Sequence, residues 1–298
     1  MITLGIALPH YDRLFPDPAV TGAERTRRAV AYAQRAEQLG FDQIWVSDHR
    51  WLDLADQRAG SPDCWTLLAA IAATTTRIRL GSLVTNAALR DPVTLAHQVA
   101  TVADIAGARL DAGLGAGWQA SEFPRLPPVA DRLLAVERSA SKIRSLTAGT
   151  VPIWVGGKRR GILEAAARVA EGWNYAWDPS AMQYARRKDT LRAAMLAAGR
   201  EPQLMKKSVG LTTLIGVDEP DLRWRWERLR SRAPGGHLAK ADFDVWRHPR
   251  LVGTPDEIRR KIGEWDNRGV THIVCGLGIP FGLFDDEQLD LLSMITST

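Results

Sequence analysis

The chain has 298 residues, 45% of them hydrophobic and 24% charged, with a formal net charge of +5. That balance describes a globular protein with a large core and excludes a disordered or collagen-like chain. No stretch reaches the roughly 18 consecutive apolar residues of a membrane span, and Cys64 and Cys275 stand apart without metal-ligand spacing, as reduced structural thiols do.

In chain order, Ile2 to Leu8 is an apolar run with neither a basic leader nor a cleavage pattern, so it reads as a first strand rather than a signal peptide, and the cytosol is the expected compartment. Thr21 and Glu24 have capping-box spacing and open a helix that ends near Gly40. Gln43 to Ser47 is a short buried strand. Ser61 followed by Pro62 predicts an N-cap with proline at the first helical position, and that helix runs to about Thr75. Ile78 to Val84 is the third strand, Asp91-Pro92 caps the next helix, Gly107 stops it, and Arg109 to Gly115 is the fourth strand. Helical periodicity covers Asp131 to Leu146, Ile162 to Ala170 and Ser180 to Ala198, alternating with strands at Pro152 to Val155, Trp173 to Trp177 and Ser208 to Val217.

The polar, Trp- and Arg-rich region from Asp218 to Leu251 has poor periodicity and predicts a helix plus a mobile loop. Thr254-Pro255-Asp256-Glu257 is a capping box with proline at the first helical position, its helix ends at Gly269, and Thr271 to Leu277 is the eighth strand. Eight strands with intervening helices and no composition break predict one domain over 1–298, a closed (β/α)8 TIM barrel, ahead of an open doubly wound sheet.

In such a barrel the chemistry collects where strands end and loops begin. Strand two ends in Ser47-Asp48-His49, and His49 titrates in the range useful for moving a proton. The equal alternative is a histidine satisfying a backbone carbonyl at the rim. Adjacent strand residues point to opposite faces, so Asp48 and His49 share a site only if the strand has already become a loop. Strand three ends in Leu83-Val84-Thr85-Asn86 and strand four in Gly113-Leu114-Gly115-Ala116-Gly117-Trp118. The glycines permit either a close ligand approach or tight barrel packing, and they lack the last glycine of a dinucleotide fingerprint. Gly156-Gly157 before a helix, followed by Lys158, Arg159 and Arg160, outlines a phosphate site, with a solvated basic helix start as the alternative. The remaining positive charge is dispersed apart from the stretch Arg223 to Arg232, and no nucleic-acid recognition motif accompanies it. Trp45, Trp154 and Trp173 read as packing residues, as do His97 and His272. Trp51, Trp118 and Trp177 are candidates to wall a pocket for a planar ring, and Trp224, Trp226 and Trp246 for a lid.

These blocks together resemble the luciferase-like monooxygenase family, in particular its deazaflavin-dependent branch. The matching segments run from Leu39–His49 through Thr76–Asn86, Arg109–Trp118, Pro152–Gly157 and Gly172–Asn174 to Gly253–Ile258, nearly the whole chain. The resemblance implies a flavin-type oxidoreductase, commonly a homodimer, that binds coenzyme F420 and transfers hydride to or from a small organic substrate. It implies a non-proline cis peptide at Leu83-Val84 behind the ring system, with Asp48, Asn86 and Trp118 flanking that ring. Gly115 and Gly117 belong to the ring-side glycine block. Gly156, Gly157 and the basic trio at 158 to 160 would take the cofactor phosphate, and His49 the proton chemistry. An FMN-dependent two-component monooxygenase, served by a separate reductase, is the alternative of the same fold, and a barrel without cofactor the second alternative. No metal, nucleic acid or membrane partner is expected. The chain departs from the family pattern in the short segment Gln119 to Thr150, which reshapes one pocket wall, and in Trp118, where some deazaflavin dehydrogenases carry a glutamate.

Overall fold

A computed structural model of the protein describes residues 2–9, 22–53, 58–233, 238–277 and 285–296. Eight parallel strands form the barrel: β1 (Thr3–Ala7), β2 (Gln43–Val46), β3 (Arg79–Ser82), β4 (Leu110–Gly115), β5 (Ile153–Gly156), β6 (Gly172–Ala176), β7 (Lys206–Ile215) and β8 (His272–Leu277). Each pairs with the next, and β8 returns to β1 through Thr3–His272 and Ile6–Cys275, so the sheet closes. A two-residue strand, Thr85–Asn86, continues β3 and pairs with the end of β4.

Ten helices among the described residues follow the strands: α1 (Gly22–Gln38), α2 (Cys64–Thr74), α3 (Pro92–Ala106), α4 (Val129–Leu146), α5 (Arg160–Val169), α6 (Ala181–Ala197), α7 (Glu219–Arg232), α8 (Phe243–Arg247), α9 (Pro255–Asp266) and α10 (Asp286–Thr296). None is long and apolar enough to cross a membrane. The main core lies between strands and helices, where outward-facing Ile44, Leu80, Ile153 and Val209 meet Leu68, Val99 and Leu163.

The barrel interior is filled differently. Trp45 and Trp154 are both about fully buried and meet edge to face at 5.5 Å, with Ala7, Leu83 and Val274 around them. The two indoles displace the usual layers of branched aliphatics. Glycines on neighbouring strands make the room: a Cβ at Gly81 would fall 2.5 Å from the Trp45 ring, and one at Gly172 2.2 Å from the Trp154 ring.

Three expectations need correction. The N-cap of α2 is Asp63, not Ser61; its carboxylate accepts from Thr66 N at 2.9 Å and also from Arg90 at 2.9 Å, a second bond that a serine hydroxyl two residues earlier does not make. The described residues of the region 218–251 hold two helices, α7 and α8, where one helix and a loop were expected. Among its described residues Trp226 stacks on Trp246 at 4.5 Å and on Phe243 at 5.4 Å, building a second apolar cluster with Leu214, Leu222 and Val252, while Trp224 stands exposed under Arg228. A short strand Leu251–Gly253 then joins β7. An antiparallel hairpin, Trp51–Asp53 with Arg58–Gly60, also follows β2 where the periodicity showed nothing. The capping box at Thr254 and Glu257 and the Asp91 cap with Pro92 are as expected, whereas Thr21 lies outside the described residues.

Candidate active site

β2 ends at Val46, so Ser47, Asp48 and His49 already belong to a loop, and the two side chains turn to different partners. Asp48 is buried; its carboxylate accepts from Asn86 N at 3.1 Å and from Arg90 at 2.6 and 3.1 Å, and Arg90 also reaches Asp63. Those bonds hold the β2 end, the α2 cap and the segment after β3 together. They also hold the Arg90 guanidinium protonated more firmly than usual, because the bonds to Asp48 and Asp63 outweigh the desolvation of a half-buried cation. Asp48 is thereby a brace, and its carboxylate is already occupied.

His49 faces Glu122. The imidazole Nδ1 lies 3.1 Å from Glu122 Oε2, and Glu122 Oε1 accepts the backbone N–H of Arg50 at 2.8 Å. Trp118 packs edge-on against the imidazole with ring centroids 5.6 Å apart. Glu122 sits at the end of a one-turn 3-10 helix, Ala120–Glu122, and is only 1% exposed. The turn is pinned to the hairpin. Gln119 donates to Trp51 O at 2.9 Å and accepts from Asp53 N at 3.2 Å; Trp51 Nε1 donates to Ser121 Oγ at 3.2 Å, and Ser121 bonds Asp53. The short Gln119–Thr150 segment and the hairpin thus build one wall of the mouth together.

At β3 the peptide bond Leu83-Val84 is cis, where the resemblance places it. Leu83 points into the barrel interior, while Val84 lies across the ends of β4 and β5. A Cβ at Gly115 would fall 2.6 Å from a Val84 methyl, one at Gly156 2.8 Å, and one at Gly113 1.9 Å from Ser82 O. Three of the glycines that the sequence offered for ligand approach are therefore required by the protein's own packing. Gly117, at φ +69°, lies against the Asn86 amide, whose Nδ2 and Oδ1 are buried with no hydrogen-bond partner among the described residues. Arg132 of α4 donates to Gly117 O at 2.6 Å and holds this loop from outside. Trp118 is two-thirds exposed at the rim, and Trp177, at φ +58°, closes over the interior cluster.

At β5, Gly157 has φ +144°, a conformation suited to glycine, and a Cβ there would meet Ile162 at 2.7 Å. The Arg159 side chain does not cap α5, and the helix starts, with the positive end of its dipole, four residues after β5. Lys158 lies over the Tyr175 ring and 3.7 Å from Asp178, and Arg159 is exposed. Arg160 pairs with Glu164 at 2.8 Å along the helix and is 84% exposed, which turns it away from the other two. The site therefore unites His49, Trp118 and Asn86 at one side of the mouth and Gly157, Lys158 and Arg159 at another. Arg90 and Arg132 are the residues that sequence reading missed, and Glu122 was visible to it only as a nearby carboxylate without a place in the pocket. Each lies far along the chain from at least one of its partners, and only Glu122 left a signal, a lone carboxylate four residues after Trp118.

A family model described as luciferase-like monooxygenase matches residues 10–137. A 5,10-methylenetetrahydromethanopterin reductase of Methanolobus tindarius is 26% identical over 88% of this chain and 93% of its own length. An F420-dependent hydroxymycolic acid dehydrogenase of Mycobacterium tuberculosis is 29% identical over 71% of this chain and 69% of its own. Among solved structures, a monooxygenase from Streptomyces bottropensis superposes with a TM-score of 0.79 at 21% identity, covering 98% of both chains. In its closed barrel and in these relatives the chain is similar to the luciferase-like monooxygenase family, whose model it matches over residues 10–137.

Proposed function

We propose that this protein is a deazaflavin-dependent oxidoreductase, a single barrel domain over 1–298 that uses coenzyme F420 to exchange hydride with a small organic substrate. The observation that carries the reading is the pairing, at the ends of the barrel strands, of a carboxylate-held histidine with an uncapped helix N-terminus flanked by Lys158 and Arg159. The first suits proton transfer at a substrate oxygen, and the second suits a phosphate-bearing cofactor. The F420-dependent dehydrogenase among the relatives supports the choice of cofactor.

The bound deazaflavin would supply hydride chemistry; the protein supplies binding, orientation and exclusion of water. Lys158, Arg159 and the N–H groups at the start of α5 would hold the phosphate, with Gly157 allowing the approach and Arg160 contributing only long-range charge. Val84 would back the ring system, resting on Gly115 and Gly156, with Asn86 and Trp118 beside it. His49 would take the proton that leaves a substrate hydroxyl when its carbon gives up hydride, or return it in the reverse direction.

The second reading is an FMN-dependent monooxygenase fed by a separate reductase. It is favoured by Trp118, which stands where the resemblance puts a glutamate in some dehydrogenases. Both readings take the protein as a cytoplasmic homodimer. Exposed Val93, Ile105 and Leu134 on α3 and α4 support self-association, which light scattering would measure. A side-by-side titration with F420 and FMN, followed by quenching of tryptophan fluorescence, separates the cofactors. Tight F420 binding with weak FMN binding is expected. The reverse order overturns the hydride-transfer reading and directs attention to oxygen uptake with reduced FMN.

A further inference from the structure

We propose that Glu122 is the positioning residue that decides which nitrogen of His49 handles the proton. The use of that proton rests on the proposed function; the pairing itself rests on geometry alone. Glu122 is a carboxylate with almost no exposed surface, and so deep a charge persists only with hydrogen-bonding partners. Its two oxygens meet His49 Nδ1 at 3.1 Å and Arg50 N at 2.8 Å, so the carboxylate grips two consecutive residues, one by its ring and one by its backbone.

A carboxylate only accepts hydrogen bonds, so Nδ1 carries the hydrogen. In the neutral imidazole Nε2 is then the acceptor, and the proton of the reaction enters and leaves there. Two further observations make the arrangement rigid. Trp118 packs edge-on against the imidazole at 5.6 Å, which fixes the ring plane. The turn bearing Glu122 is tied by Gln119 to both Trp51 O and Asp53 N, so the carboxylate stands on a braced element. Trp118, in the slot given to an acid in some relatives, thus supports the ring, while the carboxylate arrives from four residues further on.

The test is nitrogen-15 spectroscopy of the histidine side chains in the cofactor-free protein, above the pH at which imidazole titrates. His49 is assigned among the six histidines by the signal lost in His49→Gln. The wild type is expected to show the Nδ1–H tautomer. Glu122→Ala and Glu122→Gln are each expected to shift His49 to the Nε2–H form, the alanine by removing the acceptor and the glutamine because its amide oxygen keeps the Arg50 N–H while its NH2 faces Nδ1. In F420-linked turnover both variants are expected to fall by about 10²- to 10⁴-fold through the wrong tautomer, with cofactor affinity unchanged. An Nε2–H tautomer in the wild type overturns the assignment, and that measurement needs no variant to fold. An unchanged tautomer in Glu122→Ala overturns it equally. A switched tautomer with turnover unaltered in both Glu122→Ala and His49→Ala overturns the proton role of His49 and leaves the pairing standing.

Discussion

Asp48 and His49 are neighbours in sequence and opposites in use. The carboxylate of Asp48 is spent on Arg90 and on the backbone of Asn86, while the His49 ring is turned to the mouth between Glu122 and Trp118. Because strand β2 has ended, the alternation that would have separated their faces no longer applies, and each side chain follows its own hydrogen bonds. Losing a general acid–base group costs about 10² to 10⁴ in rate. His49→Ala is therefore expected to lower turnover within that range while F420 affinity stays near the wild-type value. Steady-state kinetics combined with a binding titration checks this, and undiminished turnover removes His49 from the chemistry.

Among the elements, the strand ends show most clearly how local sequence and packing combine. Val84 lies over Gly115 and Gly156, whereas Gly113 faces the backbone oxygen of Ser82, itself fixed by Ser82 Oγ bonding both Gly113 N and O at 3.0 and 2.8 Å. Overpacking of this kind costs about 1–3 kcal/mol. Gly115→Ala and Gly156→Ala are each expected to destabilise the fold by that amount, and Val84→Ala to recover part of the loss in a double-mutant cycle. Gly113→Ala is expected to cost more and to recover a smaller share from Val84→Ala, because the Ser82 carbonyl, 1.9 Å from the added Cβ, cannot withdraw as the Val84 methyl at 2.9 Å can. Denaturant midpoints of the single and double variants decide it, and rescue of Gly113→Ala as complete as that of Gly115→Ala would contradict the packing account. The glycine run was legible in the sequence; the reason for it was not, since Val84 lies about thirty or more residues from Gly113, Gly115 and Gly156 in the chain. Helix signals at Asp91 and Thr254 were readable because caps are local, and the cap at Asp63 was misplaced because Arg90, a distant partner, favours it. The apolar cluster of Trp226, Phe243 and Trp246 was not legible because it joins α7 to the five-residue α8, which is too short to show a period.

For the whole molecule, strand count and alternation made the closed barrel legible, since they depend on each segment alone, while the pairing of His49 with Glu122 depends on closure itself. The same holds at the opposite end of the barrel. There His272 opens β8, stacks edge-on against Trp154 at 5.1 Å and lies near Lys206 and Arg79. Burial first, and then those two cations, push its imidazole down to about 4. In the unfolded chain it titrates near 6.5. Above that value both states hold it neutral and it adds no pH dependence. As the pH falls from about 6.5 to about 4 the unfolded state binds a proton that the folded state refuses, so stability is lost across this window, on the order of 3 kcal/mol. His272→Gln is expected to remove that slope. Unfolding free energies of the two proteins at pH 7, 6 and 5, above the main carboxylate titrations, provide the comparison. The difference between them should narrow or reverse in favour of the variant as the pH falls, and parallel curves would show that His272 is protonated equally in both states.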